Sequence, residues 1–229
     1  MKVKHEKKLT DKLRNYIQSL GVDLFGFAEL KKIDGVFCDP PNLLTEFLHG
    51  ISIGLKLSDK VIEGIVDKPT SLYLENYRNL NLKLDEIVNK ITGFINENGF
   101  KSYPIYASFT IKPLKGKVSH KAIARASGLG WIGKSALLIN PKYGPRIRFA
   151  SILTDMPLIT GSPIKYNCGD CIECVKACPA KAITPNVINS TLSGEIYDVK
   201  KCFKQLLFFQ KQVEELICGI CIKVCPFGQ

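Results

Sequence analysis

No run of apolar residues in this 229-residue chain approaches the length needed to cross a membrane. The Lys-rich N-terminus is not a secretory signal, and nine cysteines is an odd number, so a disulfide framework is a poor reading. A cytoplasmic protein without a membrane span is expected. Carboxylates are missing altogether between Glu97 and Asp155, where Lys101, Lys112, Lys115, Lys117, Lys121, Arg125, Lys134, Lys142, Arg146 and Arg148 all fall. A block of one sign from 101 to 148 suggests an anionic partner: an acidic protein, a phosphate-bearing ligand or nucleic acid. Aromatic residues are not interleaved through it as a stacking platform for single-stranded nucleic acid would require.

What the chain has in quantity is cysteine, and in one place. Eight of the nine fall in the last 62 residues. The first run is Cys168-Gly-Asp-Cys171-Ile-Glu-Cys174-Val-Lys-Ala-Cys178-Pro179, the C-x2-C-x2-C-x3-C-P spacing of a bacterial ferredoxin loop. The second is Cys202 followed by Cys218-Gly-Ile-Cys221-Ile-Lys-Val-Cys225-Pro226. A cubane cluster offers four irons at tetrahedral corners, and each takes one thiolate. Three cysteines spaced x2, x2 wrap one corner of the cube, while the fourth leads away and ligates the other cluster. That logic joins Cys168, Cys171, Cys174 and Cys225 around one [4Fe-4S] cluster, and Cys178, Cys202, Cys218 and Cys221 around a second. The uncrossed partition, each run keeping its own four, strains the loops but stays open. Zinc also uses C-x2-C half-sites, though seldom three cysteines at x2, x2 followed by x3 and proline. Cys38 is left over and reads as a small buried hydrophobe without a role.

Lysine and arginine exceed aspartate and glutamate by a formal +11. Two clusters with their thiolates carry about −2 each, leaving about +7. Helical and strand patterns alternate over residues 1–160: a helix from Thr10, as cap, to Leu20; strands at Leu24–Ala28 and Gly50–Leu57; helices at Asp59–Val66 and Thr70–Asn96. A strand at Phe100–Ala107, a helix at Val118–Ser127 and strands at Ser135–Ile139 and Arg148–Leu153 follow. The expectation is an α/β (α+β) domain over 1–160, then a two-cluster ferredoxin-like domain over 161–229.

The stretch Ala126-Ser-Gly-Leu-Gly-Trp-Ile-Gly-Lys134, with Leu137-Leu-Ile-Asn-Pro-Lys-Tyr-Gly144, Leu153-Thr-Asp155 and the cysteine runs, resembles the epoxyqueuosine reductase family. That family comprises cobalamin-dependent iron–sulfur reductases related to reductive dehalogenases. The resemblance implies a corrinoid held by the α/β domain and fed electrons by the ferredoxin module. It also implies a cofactor loop at Gly128, Gly130, Trp131, Gly133 and Lys134, with Trp131 packed on the macrocycle and Lys134 bonded to an amide or phosphate oxygen. Read from the residues alone, the same loop is a helix-to-strand turn with Trp131 in the core. The family's proton-donor aspartate aligns with Leu114 and a following glutamate with His120. His120 is therefore the candidate general acid, although a lone histidine beside Ser119 and Lys121 at a helix start is more often structural or solvated. The chain also ends at Gln229, without the extension that helps family members hold transfer RNA. A short paralogue acting on something other than epoxyqueuosine is expected, with transfer RNA an unlikely partner.

Two functions follow. One is an oxidoreductase passing electrons through both clusters to a site in the first domain, with cobalamin as candidate acceptor. The other is an electron-transfer protein without a cobalamin of its own, serving a partner enzyme. Both require a low-potential electron donor such as a ferredoxin or flavodoxin.

Overall fold

The computed structural model describes residues 2–33, 38–109, 116–185 and 197–229. The described elements run α1 (Lys2–Ser19), β1 (Leu24–Glu29), a short 3-10 turn (Leu30–Lys32), α2 (Leu43–Glu46), β2 (His49–Lys56), α3 (Asp59–Glu63), α4 (Ser71–Glu97) and β3 (Ser102–Ile105). They continue α5 (His120–Ala126), β4 (Trp131–Ile132), β5 (Leu138–Ile139), β6 (Ile147–Thr154), α6 (Glu173–Ala177), α7 (Val199–Val213) and α8 (Ile220–Lys223). The fold is mixed helix and sheet, as the alternation predicts. None of the described helices is long and apolar enough to cross a membrane.

The chain divides into two compact units, neither of them continuous. The first comprises Met1–Leu55, Asn81–Leu129 and Arg148–Ile164; the second comprises Lys56–Leu80, Gly130–Ile147 and Lys165–Gln229.

In the first unit a four-stranded sheet runs in the order β1-β2-β6-β3, with β1 antiparallel to β2 and β3 antiparallel to β6. Strand β2 (HGISIGLK) alternates Ile51, Ile53 and Leu55 with the small residues Gly50, Ser52 and Gly54, and all six are buried, so both of its faces are covered. Helix α1 begins well before the expected cap. Thr10 is buried inside it, its hydroxyl donating to the Glu6 carbonyl at 2.7 Å and accepting from the Ile159 N–H at 2.9 Å. Its polarity suggested a cap, but a mid-helix threonine that bonds the preceding turn also satisfies its hydroxyl. Tyr16 of α1 stacks on Phe94 of α4 with ring centres 4.3 Å apart, and the Arg14 guanidinium lies over Phe25 and Phe27 of β1. Leu84, Ile87, Val88, Ile91 and Ile95 of α4 are buried at helical spacing.

The second unit has its own core. Leu57, Val61, Ile62, Ile65 and Tyr73 pack with Phe209, Val213, Ile217 and Ile220. Leu72 is exposed, while Tyr73 takes the inward position and Tyr77 and Leu80 pack against the same core. The expected strand Ser135–Ile139 shortens to Leu138–Ile139, paired with Trp131–Ile132 in a hairpin. The intervening turn is tight: Gly133 N–H donates to the Leu137 carbonyl, and Ala136 adopts φ +56°.

Arg146 is 2 % exposed and donates to Asp59 at 3.0 Å and Glu63 at 2.7 Å, one helical turn apart on α3. The carboxylates are half-exposed while the guanidinium is enclosed, so the pair is asymmetric. Removing both acids strands a buried cation, whereas removing the cation leaves two acids that water can solvate. The doubly neutral Asp59→Asn, Glu63→Gln protein is expected to lose about 3–5 kcal/mol, and Arg146→Met less than about 2 kcal/mol. Urea unfolding of the metal-loaded protein measures both; a more damaging Arg146→Met would refute the buried-charge account.

Candidate iron–sulfur centre

The eight cysteines of the two runs all lie in the second unit, half-buried apart from the buried Cys225, and none is in a disulfide. Loss of hydration pushes the Cys174 thiol up to about 11, helped by the negative charges of Cys168, Cys225 and Cys171. Cys225 is likewise held at about 11 by burial and by Cys168 and Cys171, with Arg146 acting the other way. Cys218 is raised to about 11 by burial and then by Cys202 and Cys178. Cys221 is raised further, by burial and by Cys218, Cys174, Cys202 and Cys178. Cys174 and Cys225 thus both feel the charges of Cys168 and Cys171, and Cys218 and Cys221 both feel those of Cys178 and Cys202, while Cys221 also feels Cys174. Among the described residues, no three of His, Cys, Asp or Glu come close enough to share one metal ion. A cubane spreads its four thiolates over four separate irons, so it does not need three of these donors to meet on one metal ion.

The residues before the cysteines brace them. Lys134 is 4 % exposed, and its ammonium donates to the Gly169 carbonyl at 2.8 Å and the Cys171 carbonyl at 2.9 Å. It pins the x2, x2 loop by its backbone and sets a fixed positive charge beside it. Gly133 sits so close to this loop that an added Cβ would lie 3.1 Å from the Cys168 sulfur. Trp131 is enclosed against Tyr166 and Phe227, with ring centres 4.6 Å and 5.1 Å away. These two neighbours stand two residues before Cys168 and two after Cys225. Asn140 Oδ1 accepts from the Lys142 and Tyr143 N–H groups and shapes the turn to Gly144. Gly144 (φ +55°) packs so tightly on Phe227 that a Cβ would fall 1.8 Å from its carbonyl oxygen. The turn therefore clasps the chain just past Cys225.

These contacts account for the five residues that the resemblance assigns to a corrinoid. Lys134 is spent on two carbonyls, Trp131 on two rings, and Gly130 on the Ile139 backbone, whose oxygen an added Cβ would meet at 2.2 Å. Gly128, in the first unit, packs on Ser162. As placed, all five residues contact other groups of the protein. The indole Nε1 of Trp131 is buried without a hydrogen-bond partner among the described residues.

His120 lies in the first unit at the start of α5, where Ser119 caps the helix by accepting from the Ala122 N–H. Its Nδ1 is 2.9 Å from Ser151 Oγ and its Nε2 is 3.3 Å from the Tyr106 carbonyl. A carbonyl only accepts, so Nε2 carries the hydrogen and Nδ1 accepts from the serine hydroxyl. Loss of hydration, and then the charge of Arg148, push its pKa down to about 4. The ring is neutral at pH 7 with both nitrogens engaged, an arrangement suited to bracing β6 against α5. Leu114 lies outside the described residues. Cys38 bonds the Pro40 carbonyl at 3.1 Å and packs beside Val118, and burial raises its thiol.

Residues 167–228 match the 4Fe-4S double cluster binding domain family. The cysteine-rich segment is a double-cluster iron–sulfur domain. About half of the chain is also similar to epoxyqueuosine reductases. That of Leadbetterella byssophila is 36% identical over 122 residues, covering 48% of this chain and 37% of that protein. That of Gloeobacter violaceus is 34% identical over 125 residues, covering 49% and 37%. The matches span little more than a third of those relatives' length. Among solved structures, a catabolic reductive dehalogenase bound to 3-bromo-4-hydroxybenzoic acid superposes with TM-score 0.76 at 20% identity, over 95% of this chain and 31% of its own. Epoxyqueuosine reductase from Bacillus subtilis superposes with TM-score 0.64 at 21% identity, over 98% and 66%. At such identities these two establish the fold.

Two outcomes follow from the geometry. Lys134→Met removes both loop bonds and the adjacent charge; reconstituted protein is expected to lose iron to a chelator several-fold faster than wild type, by absorbance decay. For His120 the pKa falls on folding from 6.5 to about 4, so the native state binds fewer protons than the unfolded chain in that window. Its contribution to stability is complete above pH 6.5 and is lost as pH drops toward 4. NMR should find the ring still neutral at pH 5, and His120→Gln should flatten this part of the stability–pH curve.

Proposed function

We propose that this chain is an iron–sulfur oxidoreductase that takes up low-potential electrons singly at two [4Fe-4S] clusters and relays them to an acceptor. Cys168, Cys171, Cys174 and Cys225 hold the first cluster, and Cys178, Cys202, Cys218 and Cys221 the second. The gathering of all eight run cysteines in one compact unit, at least half-buried and none in a disulfide, is the observation that carries the reading. The clusters supply reversible one-electron chemistry when bound. The chain's own part is to fix the thiolates, exclude water around them and set the local charge. Lys134 beside the first loop favours the more negative, reduced state of its cluster. Arg146 near Cys225 acts in the same sense.

The acceptor is best read as a partner enzyme's metal centre, since the loop assigned to a corrinoid is consumed by packing. A specific observation favours a second reading, a bound cobalamin. The fold superposes with TM-score 0.74 over 95% of the chain on a dehalogenase described as B12-dependent. Epoxyqueuosine itself is the poorer substrate, because no carboxylate exists between Glu97 and Asp155 to serve as its proton donor.

Anaerobic reconstitution is expected to load about eight irons per chain. Cys225→Ser should perturb the same EPR signal as Cys174→Ser, and Cys178→Ser the same signal as Cys221→Ser. The uncrossed partition predicts the opposite pairing. Titration with cob(II)alamin separates the two acceptors: an unaltered cobalt EPR spectrum supports the partner enzyme, and an altered one the bound corrinoid.

A further inference from the structure

Helix α7 carries Cys202 and is divided sharply between two faces. Leu206, Phe209 and Val213 point inward to the core of the second unit, and helical spacing sets Cys202 on that same side. The opposite side holds Lys200, Lys204, Leu207 and Lys211 at i, i+4, i+7 and i+11, with Phe208 alongside; all five are exposed. Phe208 is 57% exposed and Leu207 41%. Two adjacent large apolar side chains held in water are costly, and such a patch rimmed by charge marks an interaction site. No acidic residue lies on this face between the capping Asp198 and Glu214.

The basic segment 101–148 is a weaker candidate for the anionic partner. Two of its cations, Lys134 and Arg146, are buried and already bonded inside the second unit. The α7 face joins lysines to an apolar centre, a combination that suits a protein surface better than a phosphate backbone, whose recognition does not use exposed Leu and Phe.

We propose that this face of α7 is the docking surface for an acidic electron-carrier protein, which delivers electrons to the cluster that Cys202 helps to hold. This rests on the electron-relay reading above. Electron tunnelling falls off exponentially with distance, so a carrier must dock against the wall of a cluster. The outer face of α7 is one helix diameter, about 10–12 Å, from the inner face. The lysines steer the carrier by long-range attraction, and Leu207 and Phe208 form the small dry centre of a short-lived redox complex. In each encounter the carrier's iron centre loses one electron and the second cluster gains one; no bond or proton moves.

The test uses reconstituted full-length chain, reduced plant-type [2Fe-2S] ferredoxin as the acidic carrier, and dithionite as a small reductant. Cluster reduction is followed by freeze-quench EPR. Wild type is expected to be reduced by ferredoxin at a rate that falls steeply with salt. The pair Lys204→Glu, Lys211→Glu should slow this at least tenfold, and Phe208→Ser severalfold, while iron content and the dithionite rate stay at wild-type values. Equal ferredoxin rates in wild type and variants overturn the surface and leave the relay intact, as does reduction by dithionite but not by ferredoxin. Failure of dithionite to reduce either cluster instead defeats the relay reading itself. A wild type that elutes as a dimer, with Phe208→Ser a monomer, would make the face a self-interface and overturn the proposal. So would salt-dependent binding of a transfer RNA stem-loop that the lysine variants abolish.

Discussion

Four thiols that must ionise together in a half-buried setting repel one another, and the second unit is arranged around that conflict. Burial and mutual charge raise Cys174, Cys218, Cys221 and Cys225 well above an ordinary thiol. Such an array is uncomfortable as protein alone. Iron relieves it by supplying the positive charge that thiolates require, so metal binding and local stability are coupled. The neighbouring cations follow the same logic. Lys134 touches the first loop through carbonyls and Arg146 acts on Cys225 from within the core, each offsetting negative charge that the loaded cluster would carry.

The stretch from Gly130 to Arg146 takes its meaning from this arrangement. The hairpin brings Gly133 against Cys168, Lys134 holds the loop carbonyls, and Trp131 fills the space between residues flanking Cys168 and Cys225. The Asn140–Gly144 turn then grips Phe227. A segment that lies well before the cysteines in sequence is thus part of their housing, and it belongs to the second compact unit together with residues 56–80.

The sequence made the mixed fold, the long helix near 71–97 and the cluster chemistry legible, because cysteine spacing and hydrophobic period are local signals. What it hid depends on long-range partners. Arg146 sits in a block of cations and reads as surface, yet Asp59 and Glu63 enclose it from far up the chain. Lys134 likewise reads as an anion-binding lysine until the carbonyls of Gly169 and Cys171 are seen beside it. Thr10 has the residue type of a cap but lies mid-helix, since the residues ahead of it extend α1. The one signal for the bracing segment was its density of Gly, Asn and Pro. That density announces tight turns without saying what they clasp.

The crossed sharing of cysteines proposed above has a consequence for cluster assembly. Under it Cys225 completes the set of Cys168, Cys171 and Cys174, while Cys178 completes that of Cys202, Cys218 and Cys221. A fragment cut between Cys178 and Cys202 would then carry three ligands of one cluster and one of the other, and so could hold neither. The two centres would be gained or lost as a pair, although their cysteines lie in two separate runs.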